Sequence, residues 1–101
     1  MISLAERVRH AMEGAGIKAR TFAVLVGCHF TTIYDLLKNP ETVPLRIVQE
    51  NIYDALDFLE DAIQVGILPI NEKLTVAQKT QKIEQLFKSY MSPKQSESYT
   101  V

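Results

Sequence analysis

Two glycines, Gly16 and Gly27, and the pair Asn39-Pro40 cut the first forty residues into three stretches, and the lengths between these cuts limit what can form there. Within each stretch the apolar residues recur at steps of three and four. They are Leu4, Val8, Ala11, Met12 and Ala15, then Phe22, Ala23 and Val26, then Ile33, Leu36 and Leu37. That is the spacing of one face of a helix, not the alternation of a strand. Ser3-Leu4-Ala5-Glu6 has the capping-box arrangement, in which a hydroxyl and a carboxylate satisfy free amides at a helix start. Gly16 is placed to close the first helix in the left-handed conformation, with Ile17 folding back as its apolar contact. Gly27 falls where a tight reversal needs a positive φ, and Pro40 disfavours helix in the residue before it. The spacing therefore predicts short helices over 4–15, 19–26 and 29–38, with Glu6, Arg7, Arg9, His10 and Glu13 of the first facing water.

Pro44 suits a first helical turn, and Leu45, Val48, Ile52, Leu56, Leu59 and Ile63 continue the three-and-four spacing. A long amphipathic helix is expected over 44–65, stopped by Gly66 and Pro69. Thr75 can cap a fifth helix over 75–91, with Val76, Ile83, Leu86, Phe87 and Tyr90 as one stripe. Residues 92–101 have no apolar periodicity and are expected to form a flexible tail. With 101 residues, 47% of them hydrophobic, the chain can bury one modest core. The expectation is an all-α chain with one helical domain over 1–91, made of a head at 3–40 and an extension at 44–91.

The longest uncharged stretch, Thr21 to Tyr34, is too short for a membrane span, and the N-terminus shows no cationic-then-apolar leader. A soluble, cytoplasmic protein is expected. The single cysteine, Cys28, excludes an intramolecular disulfide, and its apolar neighbours suit a small, buried, unreactive side chain. Charge is unevenly spread. Residues 1–40 carry five basic and three acidic side chains (+2), residues 41–74 two and seven (−5), and residues 75–101 four and two (+2), which sum to −1. A mildly basic head beside an acidic middle fits a nucleic-acid reader with a separate partner surface.

From Phe22 to Asn39 the chain reads FAVLVGCHFTTIYDLLKN. Ala23 is small where two helices would cross closely, Gly27 follows four residues later at the turn, Cys28 is apolar after it, and Ile33 and Leu36 seat the next helix. This segment resembles the helix-turn-helix of the lambda-repressor/Cro-like family. The resemblance extends back through Ala15-Gly16-Ile17 and covers about residues 3–40. It implies that the helix after Gly27 enters the major groove, with His29, Phe30, Thr31 and Tyr34 nearest the base edges. Thr31 can hydrogen-bond a base, and Phe30 can touch a thymine methyl. Lys18, Arg20, Thr32 and Lys38 would then reach phosphates, while Arg7 and Arg9 belong to a solvated face. The chain departs from the family pattern at four positions. Lys18 and His29 stand where small hydroxyl residues usually cap the second and third helices, and neither is expected to cap well. Ala19 and Phe30 stand where glutamines often contact phosphate and base. Asp35 would repel the DNA backbone unless it accepts from a cytosine amine or pairs with Lys38.

The resemblance implies a sequence-specific regulator of transcription that binds double-stranded DNA, a repressor of the phage or mobile-element type occupying its operator. A homodimer on two half-sites is expected, because one short helix makes few contacts and the fourth-helix stripe is longer than a three-helix head covers; packing of the fourth helix against the fifth within one chain is the alternative that would use up the stripe. A DNA-packaging recognition subunit would differ in forming ring-sized oligomers. The rival class is a protein-interaction module or inhibitor that keeps the fold without binding DNA and grips a host or phage regulatory protein. Its support is the net negative charge, the missing glutamines and the aromatic pair Phe30 and Tyr34. No enzyme is expected. Cys28 and His29 are adjacent on a tight turn and point apart, and Glu60 and Asp61 face different sides of a helix. No glycine-rich phosphate loop is present. His10 and His29 lack partners at metal spacing, so neither a metal nor a cofactor is expected.

Overall fold

The computed structural model describes the backbone of residues 2–99 and the side chains of residues 2–92. Its regular structure is entirely helical: α1 (Leu4–Ala15), α2 (Ala19–Val26), α3 (Phe30–Lys38), α4 (Arg46–Gln64) and α5 (Val76–Tyr99). No described residue lies in a strand, and no described helix is long and apolar enough to cross a membrane. Internal contacts divide the chain into two compact units, Met1–Asn71 and Glu72–Val101.

In the first unit the helix ends follow local chemistry. The Ser3 hydroxyl accepts the Glu6 amide at 3.2 Å, one half of the expected capping box. Gly16 has φ 67° and ends α1. The Ile17 amide folds back to the Met12 carbonyl at 3.0 Å, and the Ile17 side chain is buried. Gly27 has φ 80° and a built Cβ there would meet nothing within 4 Å, so backbone conformation alone, not crowding, calls for glycine. Lys18 makes no side-chain cap on α2, as expected. His29 corrects its expectation, because its ring accepts the Thr31 amide and caps α3. Nδ1 of histidine is attached to Cγ like the side-chain oxygen of asparagine, so it reaches the same amide.

α4 begins at Arg46, not at Pro44; Leu45 is its N-cap and supplies no capping hydrogen bond. Leu45 consequently leaves the apolar stripe and is 76% exposed, while Val48 and Ile63 are half-buried. The remainder of the stripe is fully covered at Ile52, Leu56 and Leu59. α4 packs against α1 and α2, and α3 packs against α2 and α1. Phe22, Ile33, Leu36, Val8 and Leu68 complete the largest fully buried side chains of this unit. Each such burial stabilises by about 1.5–3 kcal/mol. On α1 the buried positions are Ala5, Val8, Ala11 and Ala15, whereas Leu4 and Met12 are half-buried. The stripe is thus shifted towards small residues, which permit a close approach. A Cβ built on Gly14 would lie 3.0 Å from Ile63 Cδ1 of α4.

Arg7 does not belong to a free solvated face. Its Nε donates to Glu60 Oε2 at 2.9 Å and its Nη2 to Glu60 Oε1 at 2.7 Å, a two-pronged clasp from α1 to α4. Nη2 also reaches Asp57 Oδ1 at 3.3 Å. Arg9 is tied as well, since its Nη2 donates to the Leu37 carbonyl at 3.2 Å.

In the second unit, Thr75 and Gln78 form a reciprocal capping box at the start of α5. The Gln78 amide donates to Thr75 Oγ1 at 3.1 Å and the Thr75 amide to Gln78 Oε1 at 3.0 Å. Lys82 pairs with Glu72 at 2.7 Å. Of the expected stripe, Ile83 is buried and Leu86, Phe87 and Tyr90 are half-buried, but Val76 is exposed. α5 runs to Tyr99, past the expected end at 91. The tail expected over 92–101 falls largely outside the described side chains, and residues 100–101 lie outside the described backbone.

The Arg7 clasp sets a pH dependence. Hydrogen bonding from Arg7 holds the Glu60 carboxyl below its ordinary value of 4.5. A carboxyl lowered in the folded state stabilises the fold above its unfolded pKa, and that contribution disappears as pH falls through the lowered value. The Glu60 side chain is 43% exposed, so screening keeps the effect small. Wild type should exceed Glu60→Gln in stability by about 0.5–1 kcal/mol at neutral pH, with the gap closing below about pH 4. Urea titrations at several pH values measure it, and a gap independent of pH would remove the ion pair as its cause.

Candidate nucleic-acid interface

Gly27, Cys28 and His29 are the whole connection between α2 and α3. The left-handed Gly27 lets the Gly27 and Cys28 amides both return to the Ala23 carbonyl, at 2.8 and 3.1 Å. The chain reverses within those bonds, and α3 starts with the Thr32 amide on the His29 carbonyl at 3.0 Å. The start of α3 is therefore held beside the C-terminal half of α2.

That placement gathers five of the expected site residues. The Arg20 guanidinium lies over the Phe30 ring, its central carbon 4.1 Å from the ring centroid. The His29 ring lies against the same ring at 4.4 Å and 30°. Tyr34, one turn further along α3, meets Phe30 edge to face at 5.7 Å and 89°. His29 Nδ1 is 2.9 Å from Thr31 Oγ1 and 3.3 Å from the Thr31 amide. Arg20, His29, Thr31 and Tyr34 are exposed and Phe30 is half-buried. Arg20, His29 and Phe30 also line an open hollow of about 260 Å³, together with Ala23, Val24 and Cys28.

Lys18, Thr32 and Lys38 are not drawn into this cluster. Lys18 is exposed at the N-cap of α2, Thr32 is half-buried, and Lys38 is exposed in the last turn of α3. Lys38 lies about 12 Å along the helix from Phe30 at 1.5 Å per residue. Asp35 is exposed and forms no ion pair with Lys38, so the pairing that would have neutralised it is not made. The ion pairs among the described residues of this unit use Arg7 and Arg46. Lys18, Arg20 and Lys38 consequently keep charge that no carboxylate of the described residues neutralises. No group of three or more His, Cys, Asp or Glu among the described residues is placed to hold a metal.

Sequence reasoning named these residue types at the start of α3 and missed how two of them are used. The imidazole cap carried a faint signal, a histidine with a threonine two residues on. The stack of Arg20 on Phe30 had none, because it joins residues ten apart across a reversal whose angle the sequence does not state. Cys28 is half-buried, less covered than expected. Set against protein-family models, characterised proteins and solved structures, the chain has no match.

Burial pushes the Cys28 thiol above its ordinary value of 9.0. Less thiolate forms near neutral pH, so the side chain is a slow nucleophile. At about pH 8 iodoacetamide should alkylate Cys28 of the folded chain several-fold more slowly than in denaturant. Equal rates would mean that the turn leaves the sulfur open.

Proposed function

We propose that the chain is a sequence-specific regulator of transcription, a cytoplasmic repressor of the phage or mobile-element type. In this proposal a helix-turn-helix head lays α3 in the major groove of double-stranded DNA. The observation that carries it is the largely exposed cluster at the start of α3, where His29, Phe30, Thr31 and Tyr34 converge on an Arg20 guanidinium that no carboxylate of the described residues pairs. The N-terminal half of such a helix meets base edges. The Thr31 and Tyr34 hydroxyls offer hydrogen bonds there, and the edge of Phe30 suits a thymine methyl. Lys18, Arg20, Thr32 and Lys38 supply the phosphate contacts that fix register, and the three cations among them release counterions. Occupying the operator excludes other proteins, so the mechanism is steric and needs no bond chemistry.

Two copies are part of the proposal. The nine residues of α3 span only about 13 Å, enough for a few base pairs. A homodimer doubles the contacts on a site with two-fold symmetry. Sedimentation at micromolar concentration should give a dimer, and a strict monomer would remove the two-fold operator.

Titration of wild type and single variants against random and selected duplexes at two salt concentrations tests the DNA reading. Lys18→Ala and Arg20→Ala should weaken binding to every duplex and flatten its salt dependence, because each leaves a phosphate counterion unreleased. Thr31→Ala and Tyr34→Ala should cost about 1–3 kcal/mol on the preferred sequence and much less on random DNA. One observation favours a second reading, a protein-docking module: the edge-to-face pair of Phe30 and Tyr34 is partly exposed, as interface anchors are. In that case Phe30→Ala and Tyr34→Ala abolish a complex with a host or phage regulatory protein that depends little on salt. Duplex binding undetectable at low salt would reject DNA as the partner and leave the docking module.

A further inference from the structure

The hydrogen bonds between His29 and Thr31 fix which way a hydroxyl can point its proton. A backbone amide can only donate, and the Thr31 amide lies 3.3 Å from His29 Nδ1 in donating geometry. Nδ1 therefore carries no proton in this arrangement, and the imidazole proton is on Nε2. Thr31 Oγ1 is 2.9 Å from the same nitrogen. Between an unprotonated nitrogen and a hydroxyl only one direction is open, so the Thr31 hydroxyl donates to Nδ1. The hydroxyl has one proton to give, and once it is given inward, only lone pairs remain to face outward.

We infer that His29 makes Thr31 an acceptor-only contact, and that the chain selects bases presenting an exocyclic amine at the position Thr31 meets. This rests on the DNA reading above and states its chemistry. In the major groove adenine offers its N6 amine and cytosine its N4 amine, whereas guanine O6 and N7 and thymine O4 are acceptors. A threonine free to rotate serves either kind. A threonine whose proton is held by His29 pairs with the amines and sets lone pair against lone pair at guanine and thymine. His29 is in this respect a positioning residue that acts through Thr31. Its contribution is selectivity, distinct from the charge that Arg20 or Lys18 brings to a phosphate.

The test is selection from a randomised duplex pool by wild type, Thr31→Val, His29→Asn and His29→Ala at about pH 8, with helicity measured for each. Thr31→Val identifies the base pair, as the one whose preference it erases. Wild type should favour adenine or cytosine there by about fivefold or more over guanine and thymine. His29→Asn should keep the preference, since its side-chain oxygen accepts the same two hydrogen bonds. His29→Ala should bring it below about twofold, because the freed hydroxyl then serves either kind of edge. Nitrogen-15 spectra of His29 in the free chain give a readout that needs no variant to fold, and should show the proton on Nε2.

Several results would overturn the inference while leaving the proposed function standing. They are selection of guanine or thymine at that pair, a Thr31→Val variant that erases no preference, a folded His29→Ala variant that keeps it, or a proton on Nδ1. Failure to retard any duplex at low salt removes the proposed function, and the inference with it.

Discussion

The burial of one face of α4 against α1 and α2 is the constraint from which the geometry of the first unit follows. Ile52, Leu56 and Leu59 are wholly withdrawn from water on that face. α3, in contrast, is nine residues long and fully buries only Ile33 and Leu36. A helix of that length is not stable alone. It holds its place because α1 and α2, braced by α4, present a surface for those two side chains. The cluster at its start therefore owes its geometry to residues that lie outside it. The Arg7 clasp adds little energy to this arrangement, but it joins α1 to α4 at a defined register, which apolar contacts alone leave looser.

Legibility in the sequence tracked how local the cause was. The ends of α1 and α2 depend on Gly16 and Gly27, whose conformational needs are set within a few residues, and both lie where the spacing placed them. The start of α4 depends on where the chain leaves an extended segment, and periodicity continues through such a boundary without marking it. Leu45 fits the stripe in sequence and still stands in solvent. The shift of the α1 stripe from Leu4 to Ala5 has another origin. Hydropathy ranks leucine above alanine, but a close helix crossing is decided by size, and only the neighbouring helix reveals how close the crossing is.

The candidate site divides in the same way. Which residue types stand at the start of α3 was legible, because the turn and the helical phase place them. How they engage one another was not. Arg7 looked like any charge on a wet face until α4 was set opposite it, since helical spacing assigns a face but not the partner that face meets. His29 was passed over as a cap because hydroxyl and carboxamide side chains dominate that role, although its ring nitrogen has the reach of an asparagine oxygen. Charge summed over segments was similarly blunt. It placed acid in the middle of the chain, without showing that two of those carboxylates are spent on an arginine of α1.

If α3 reads DNA as proposed, the position of Arg20 over the Phe30 ring bears on the timing of recognition. A free arginine side chain samples many rotamers, and fixing it costs up to about 2 kcal/mol in conformational entropy. Held at 4.1 Å from the ring centroid, this one has met part of that cost during folding. It has also shed water from one face of its guanidinium before any partner arrives. An incoming acceptor meets a preorganised donor, and less of the interaction is consumed in ordering it. Preorganisation of this kind lengthens the lifetime of a complex more than it speeds encounter, because diffusion brings the partners together regardless of side-chain order.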